Sequence, residues 1–477
     1  MKKILPLLLL ILGCATNPVT HQQEFLIFSE GYEIRLGREA TRSVLEQFGR
    51  YDDRRIQAYV QEVGWRIARV SHRPHLPYSF TVTDSSVPNA MALPGGFIYV
   101  NRGLLLYLNN EAQLAGVLGH EVGHVAARHG IKHYQAALGA QLVALGVASL
   151  TESRGLVLGT NLLLEAILKG YSRRDELQAD RLALAYMEKA GYRPSEMVSF
   201  LRTLKRMEKR EPGLLEQIFA SHPLTSERIR RAELMARGKG GAVARDRYLK
   251  RMEGLVCGPG AKEGLIQGRR FRNRHFRYEV TFPPGWRARR GRRIGSVMGK
   301  DPSERLLCQA IPLELPRPLT AREMAHRLER GTHLRRLGEG WVRLGGLTGL
   351  RVDYLAGRLR ARMVFLPRGQ TGFILCCCCP WEYFLWGEGL FEEFLRSFRS
   401  LNRREARRIP LWRLKIYRSR PGDTFQSLSR RFYGTPAYAE ELRLLNGLPP
   451  GPLKPGTLIK VKPKGLLLLE MKRKEGH

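Results

Sequence analysis

His120-Glu121-Val122-Gly123-His124 sets two imidazoles one helical turn apart with a carboxylate beside the first. Residues at i and i+4 lie on one face of a helix, so His120 and His124 can hold one metal ion together while Glu121 leans toward the open coordination position and could activate a water there. The pattern is a zinc-hydrolase signature. The residues before it support a helix: Leu114, Val117 and Leu118 recur at helical spacing and would bury the segment against a core. A catalytic zinc normally holds three protein ligands plus a water, so two histidines leave one ligand to be found.

His129 is the nearest candidate, but five residues past His124 it falls about 140° around a helix from it, which makes it a structural or surface residue. A metzincin would need Gly three and His six residues after His124; Ala127 and Gly130 stand there, and that class is excluded. Farther on, Tyr171-Ser172-Arg173-Arg174-Asp175-Glu176-Leu177-Gln178-Ala179-Asp180 opens a long amphipathic helix that closes at Gly191, and Glu176 and Asp180 share one of its faces.

A His-Glu-x-x-His helix followed by a Glu-x-x-Ala-Asp helix resembles the M48 family of zinc metallopeptidases. Asn89 to Val100 resembles that family's strand beside the cleft, and Ser221 to Ile229 its His-Pro motif, so the likeness spans Glu30 to Ala236. The resemblance implies an α+β protein whose mainly helical, gluzincin-like peptidase domain carries a short sheet. It implies one Zn2+ per chain on His120, His124 and Glu176, with Glu121 as the base and Asp180 orienting a ligand histidine. Gly96-Phe97-Ile98-Tyr99 is the expected edge against which an extended peptide pairs. For His222 two roles stand open: a donor to the oxyanion of the tetrahedral intermediate, or a fourth zinc ligand that holds the enzyme latent. The likeness to the periplasmic branch of the family favours the second.

The chain has 477 residues and a formal charge of +36, with a pI near 10.5. That balance favours anionic partners such as lipid headgroups and cell-wall polymers; no nucleic-acid motif accompanies it. Lys2-Lys3, the apolar run Ile4 to Leu12 and the stretch ending in Gly13-Cys14 resemble a bacterial lipoprotein signal over 1–13. On that reading Cys14 is lipidated and anchors the protein to an envelope membrane. Ala15 in place of Asp favours the outer membrane. Between the motif helices, Leu138 to Gly170 is apolar but broken by Glu152, Arg154 and Glu165, too short a run to span a bilayer; it reads as a core hairpin or a flap over the cleft.

The expected peptidase domain covers 14–240. A small α+β domain follows over 241–402, with strands around Phe271–Trp286, Leu347–Tyr354, Arg362–Phe365 and Phe373–Cys379 and helices at Ala321–Leu328 and Phe391–Phe398. Cys376 to Cys379 are adjacent, and alternate residues of a strand face opposite ways, so they cannot converge on one metal; a buried strand is expected. Cys257 and Cys308 are candidates to pair with each other or with this run. After a basic linker over 403–411, residues 412–463 resemble a LysM domain with a βααβ fold that binds N-acetylglucosamine polymers such as peptidoglycan. The likeness puts the glycan groove at Gly422, Asp423 and Thr424 and at Asn446, Leu448 and Leu453; a basic tail follows over 464–477.

These readings combine into a membrane-anchored zinc metalloendopeptidase, docked to peptidoglycan, that hydrolyses misfolded or stalled envelope polypeptides. The rival is a peptidoglycan-bound chaperone or scaffold with a latent zinc site. A cell-wall peptide hydrolase fits the C-terminal module but finds no cell-wall hydrolase motif.

Overall fold

The computed structural model describes residues 14–145, 160, 162–210, 215–330 and 332–475. The expected leader 1–13 and much of the 138–170 segment lie outside them. The chain divides into two compact units, one formed by Met1–Gly258 with Trp412–His477 and the other by Pro259–Leu411. No helix among the described residues is long and apolar enough to cross a membrane.

The first unit begins its helical scaffold with α1 (Glu30–Phe48) and α2 (Arg54–Ala68). A three-stranded sheet follows, of β1 (Ser79–Thr83), β2 (Ala90–Leu93) and β3 (Phe97–Asn101). The motif helix α3 (Glu111–Ala126) comes next, then α4 (His129–Leu145), α5 (Arg173–Lys189), α6 (Ser195–Arg210) and α7 (Ser226–Ala236). Local sequence sets their starts. Asn110 accepts from Gln113 N to cap α3, Ser172 and Asp175 form a reciprocal capping box on α5, and Thr225 caps α7 through Arg228 N, each satisfying amides that the first turn leaves orphaned.

α3 is buried along its whole length and packs on α5 at unusually close range. A Cβ at Gly123 would lie 3.1 Å from Ala179 O, and one at Gly119 3.3 Å from Ala183 Cα. These two glycines let the helix bearing the two histidines meet the helix bearing Glu176 and Asp180.

The sheet order is β1-β3-β2, with β3 parallel to β1 and antiparallel to β2. This corrects the expected substrate edge. Phe97, Ile98 and Tyr99 lie in the central strand, hydrogen-bonded on both sides, and Gly96 closes the turn that leads into it. A strand with both edges paired has no free groups for a peptide; β2, at the sheet's margin, has one neighbour.

The second unit is sheet-rich. β4 (Arg287–Arg290), β5 (Val297–Lys300), β6 (Leu307–Glu314), β7 (Arg335–Leu344), β8 (Leu347–Ala356), β9 (Leu359–Arg368) and β10 (Thr371–Pro380) form one antiparallel sheet in the order β4-β5-β6-β10-β9-β8-β7. It also carries α8 (Ala321–Glu329) and α9 (Phe384–Arg396). The second helix starts seven residues before its expected first turn. Phe384, Phe391 and Phe394 face the core while Leu385 and Trp386 stay exposed, so apolar residues on both faces hide the period. Cys376 to Cys379 lie on β10 with alternating burial, and these four, Cys257 and Cys308 are free. Cys308 stands opposite Cys377 in register with the sulfurs 2.9 Å apart.

Residues 412–477 return to the first unit. β11 (Lys415–Arg418), α10 (Phe425–Tyr433), α11 (Ala439–Asn446) and β12 (Leu458–Val461) run in the order βααβ, with the two strands antiparallel. Lys464–Glu475, expected as a tail, is helical, with Leu466 and Leu467 buried. The module is tied to the loop that leads into α3: fully buried Lys460 donates to Leu106 O at 2.7 Å and Leu108 O at 2.8 Å. Arg245 bridges Asn109 O and Leu458 O.

Two expected glycan contacts are spent on this fold. The Asn446 amide donates to Leu442 O and Lys460 O and accepts from Lys460 N, while Asp423 accepts from Tyr417 Oη, Arg420 N and Arg431. Both are buried, which leaves neither free for a ligand. Leu453 is also buried, Thr424 caps α10, Leu448 is half-buried and Gly422 is exposed.

Candidate metal centre

His120 and His124 project from one face of α3, Glu176 from α5, and His222 from the end of the short helix Glu216–Ser221. One ligand atom from each lies within 4.8 Å of all the others. His120 Nε2 is 3.0 Å from His124 Nε2 and 3.2 Å from His222 Nδ1. Glu176 Oε1 is 3.0 Å from His222 Nδ1 and 3.3 Å from His124 Nε2, and Glu176 Oε2 is 3.4 Å from His120 Nε2. Four ligands at about 2.0–2.1 Å from a tetrahedral zinc stand about 3.3 Å from one another. The donor set and its spacing therefore fit a four-coordinate ion of that size.

The electrostatics favour a cation at the same point. Burial opposes charge on His120, yet Glu176 and Asp180 push it up to about 10, so a proton or a metal ion is welcome there. Glu176 is held well below the usual carboxylate range, against its own burial, by His222, His120 and Arg228. Asp180 Oδ1 lies 3.0 Å from His120 Nδ1, and Arg228 grips Asp180 with Nε at 2.7 Å and Nη2 at 2.8 Å. The same guanidinium reaches Glu176 Oε2 at 2.5 Å. Arg228 was not singled out in the sequence; its one signal is its place four residues after Leu224 in the stretch that begins Ser221-His222-Pro223.

Glu121 is buried beside the cluster. Its Oε1 is 3.7 Å from His222 Nε2 and its Oε2 has no hydrogen-bond partner among the described residues; burial raises its carboxyl. An apolar recess lined by Val117, Met197, Phe200, Leu201 and Leu204 opens beside His120, Glu121 and His222.

His129 is a buried residue outside the ligand cluster, but not by way of a continuing helix. The motif helix stops at Ala126, and Arg128 takes a left-handed φ of 59°, held there by Glu33 and Phe28 O. The chain thus does not continue around one helix. His129 folds back, buried, with its Nδ1 2.9 Å from His124 Nδ1. Cys14, the expected lipidation residue, begins a short strand, Cys14–Thr16, paired with Gln23–Phe25.

Residues 54–236 match the model of peptidase family M48. The mitochondrial metalloendopeptidase OMA1 of Schizosaccharomyces pombe is 32% identical over 227 residues, 45% of this chain and 64% of that protein. The beta-barrel assembly-enhancing protease of Escherichia coli (strain K12) is 27% identical over 42% of this chain and 43% of its own length. The metalloprotease LoiP of Escherichia coli (strain K12) is 30% identical over 32% of this chain and 60% of its own length. The chain spans less than two thirds of these relatives. Among solved structures, the cyanobacterial PsbP of Synechocystis sp. PCC 6803 overlaps 30% of the chain at 17% identity with a TM-score of 0.24, a likeness too slight to carry an argument. The matched residues 54–236 include all four members of the cluster.

Proposed function

We propose that this protein is a zinc metalloendopeptidase of the cell envelope acting on misfolded or stalled polypeptides. The observation that carries the reading is the convergence of His120, His124, Glu176 and His222 beside a buried carboxylate with a free oxygen. When bound, zinc supplies Lewis acidity to the scissile carbonyl and acidifies water. Glu121 is the base: its unpartnered Oε2 takes a proton from water and hands it to the leaving amine. Burial, which raises this carboxyl, suits it to hold the proton between the two transfers. Asp180, gripped by Arg228, keeps His120 in the tautomer that offers Nε2 to the ion. The recess beside Glu121 is suited to an apolar side chain of the substrate, and the margin of β2, rather than β3, is the strand edge available to an extended peptide.

His222 is assigned the role of a fourth ligand that keeps the resting enzyme latent. Its Nδ1 stands within the cluster at 3.0 Å from Glu176, where a catalytic zinc would carry water. The alternative of a peptidoglycan-bound scaffold with a permanently closed site draws on the same contact. Lipidation at Cys14, an outer-membrane station facing the periplasm and docking to peptidoglycan through a LysM-like module at 412–463 complete the proposal, supported by the leader-like sequence and by the βααβ order. Casein cleavage that is abolished by a chelator and restored by zinc tests the peptidase reading. Release of muropeptides from sacculi instead would assign a cell-wall hydrolase, and binding of both without cleavage a scaffold.

A further inference from the structure

We propose that His129 is the positioning residue for the second histidine of the motif, fixing which nitrogen of His124 carries its proton. This rests on reading the cluster as a metal centre. His124 and His129 face each other Nδ1 to Nδ1 at 2.9 Å, and two neutral imidazoles at that distance share a single proton, one ring donating and the other accepting. The direction is set at the far side of each ring. His124 points Nε2 at His120 and Glu176, at 3.0 and 3.3 Å. To offer that lone pair to a cation it must hold its proton on Nδ1, so it donates and His129 accepts. The His129 proton then sits on Nε2, which faces two acceptors, Gln178 Oε1 at 3.0 Å and Asp175 Oδ1 at 3.3 Å. Every link of the chain has a donor facing an acceptor.

The surroundings leave little room for another arrangement. Both rings are 1% exposed, so no water competes for the shared proton. The Tyr171 ring stacks on His124 with centroids 3.9 Å apart, which leaves in-plane contact to His129. The helix α5 thereby orients both histidines of the motif: Asp180 reaches His120 directly, and Gln178 and Asp175 reach His124 through His129. An imidazole takes the place that a carboxylate or carbonyl usually fills behind a ligand histidine. The left-handed turn at Arg128 brings it there.

The test compares His129→Leu, which keeps bulk but removes the acceptor, with His129→Asn, whose amide oxygen can stand where Nδ1 stood. Zinc affinity is measured by competition with a chromophoric chelator, and the visible absorption of the Co2+ form is recorded; melting of the metal-free proteins confirms that each variant folds. The Leu variant is expected to bind zinc about 10- to 100-fold more weakly and to show an altered Co2+ spectrum, with the Asn variant recovering most of the affinity and the parent spectrum. Parent-like affinity and spectrum in the Leu variant, or equal loss in both variants, overturns the assignment. Should neither variant fold, histidine 15N shifts of the zinc-loaded parent decide: His129 protonated at Nε2 and bare at Nδ1 supports it, the reverse overturns it. A parent chain that binds no zinc would defeat the proposed function itself, an outcome distinct from any difference between variants.

Discussion

His222 Nδ1 lies 3.0 Å from Glu176 Oε1, while Nε2 of the same ring is 3.7 Å from Glu121 Oε1. One imidazole thus touches both the carboxylate assigned to the metal and the carboxylate assigned to the proton. If this contact closes the fourth position, His222→Ala raises casein turnover several-fold at matched zinc occupancy. A fall of about a hundredfold or more would instead mark His222 as an oxyanion donor.

Arg228 is a permanent cation in direct contact with both Glu176 and Asp180. Removing one partner from a buried ion pair leaves an uncompensated charge and costs about 3–5 kcal/mol. Arg228→Met is expected to lose stability on that scale in the metal-free protein, and bound zinc should recover part of it by restoring positive charge. Equal melting temperatures for parent and variant would contradict the assignment.

Lys460 links the C-terminal module to the loop ahead of α3. Burial, with Arg245 adding to it, holds its amine well below the usual lysine range. The unfolded chain keeps that proton up to about pH 10.4, so between the two values the unfolded state binds more protons and stability rises with pH. Urea unfolding at pH 7.5, 8.5 and 9.5 should show this rise, and Lys460→Met should flatten it. An unchanged slope would show that Lys460 keeps its charge when folded.

What the sequence revealed of the site follows from helical geometry. His120 and His124, and Glu176 and Asp180, sit at i,i+4 on two helices, and such spacing survives folding whatever packs around it. The misread residues depend on contacts that spacing does not encode. His129 was placed by continuing a helix that Arg128 ends with a left-handed turn. Phe97 to Tyr99 read as an edge because strand order is not written in local alternation, and β1 and β2 pair on either side of β3. Asn446 and Asp423 read as ligand contacts because the LysM likeness puts them at its groove, whereas here they satisfy backbone groups. Arg228 and Lys460 are two of 80 basic residues, and only their burial and contacts in the fold set them apart from the exposed majority.

The most direct measurement is the pairing of metal content with activity in Glu121→Gln. Glu121 is assigned to proton transfer and not to the ion, so the variant should retain one zinc per chain while casein cleavage falls by about 10²–10⁴. Cleavage at the parent rate with zinc retained would contradict the account.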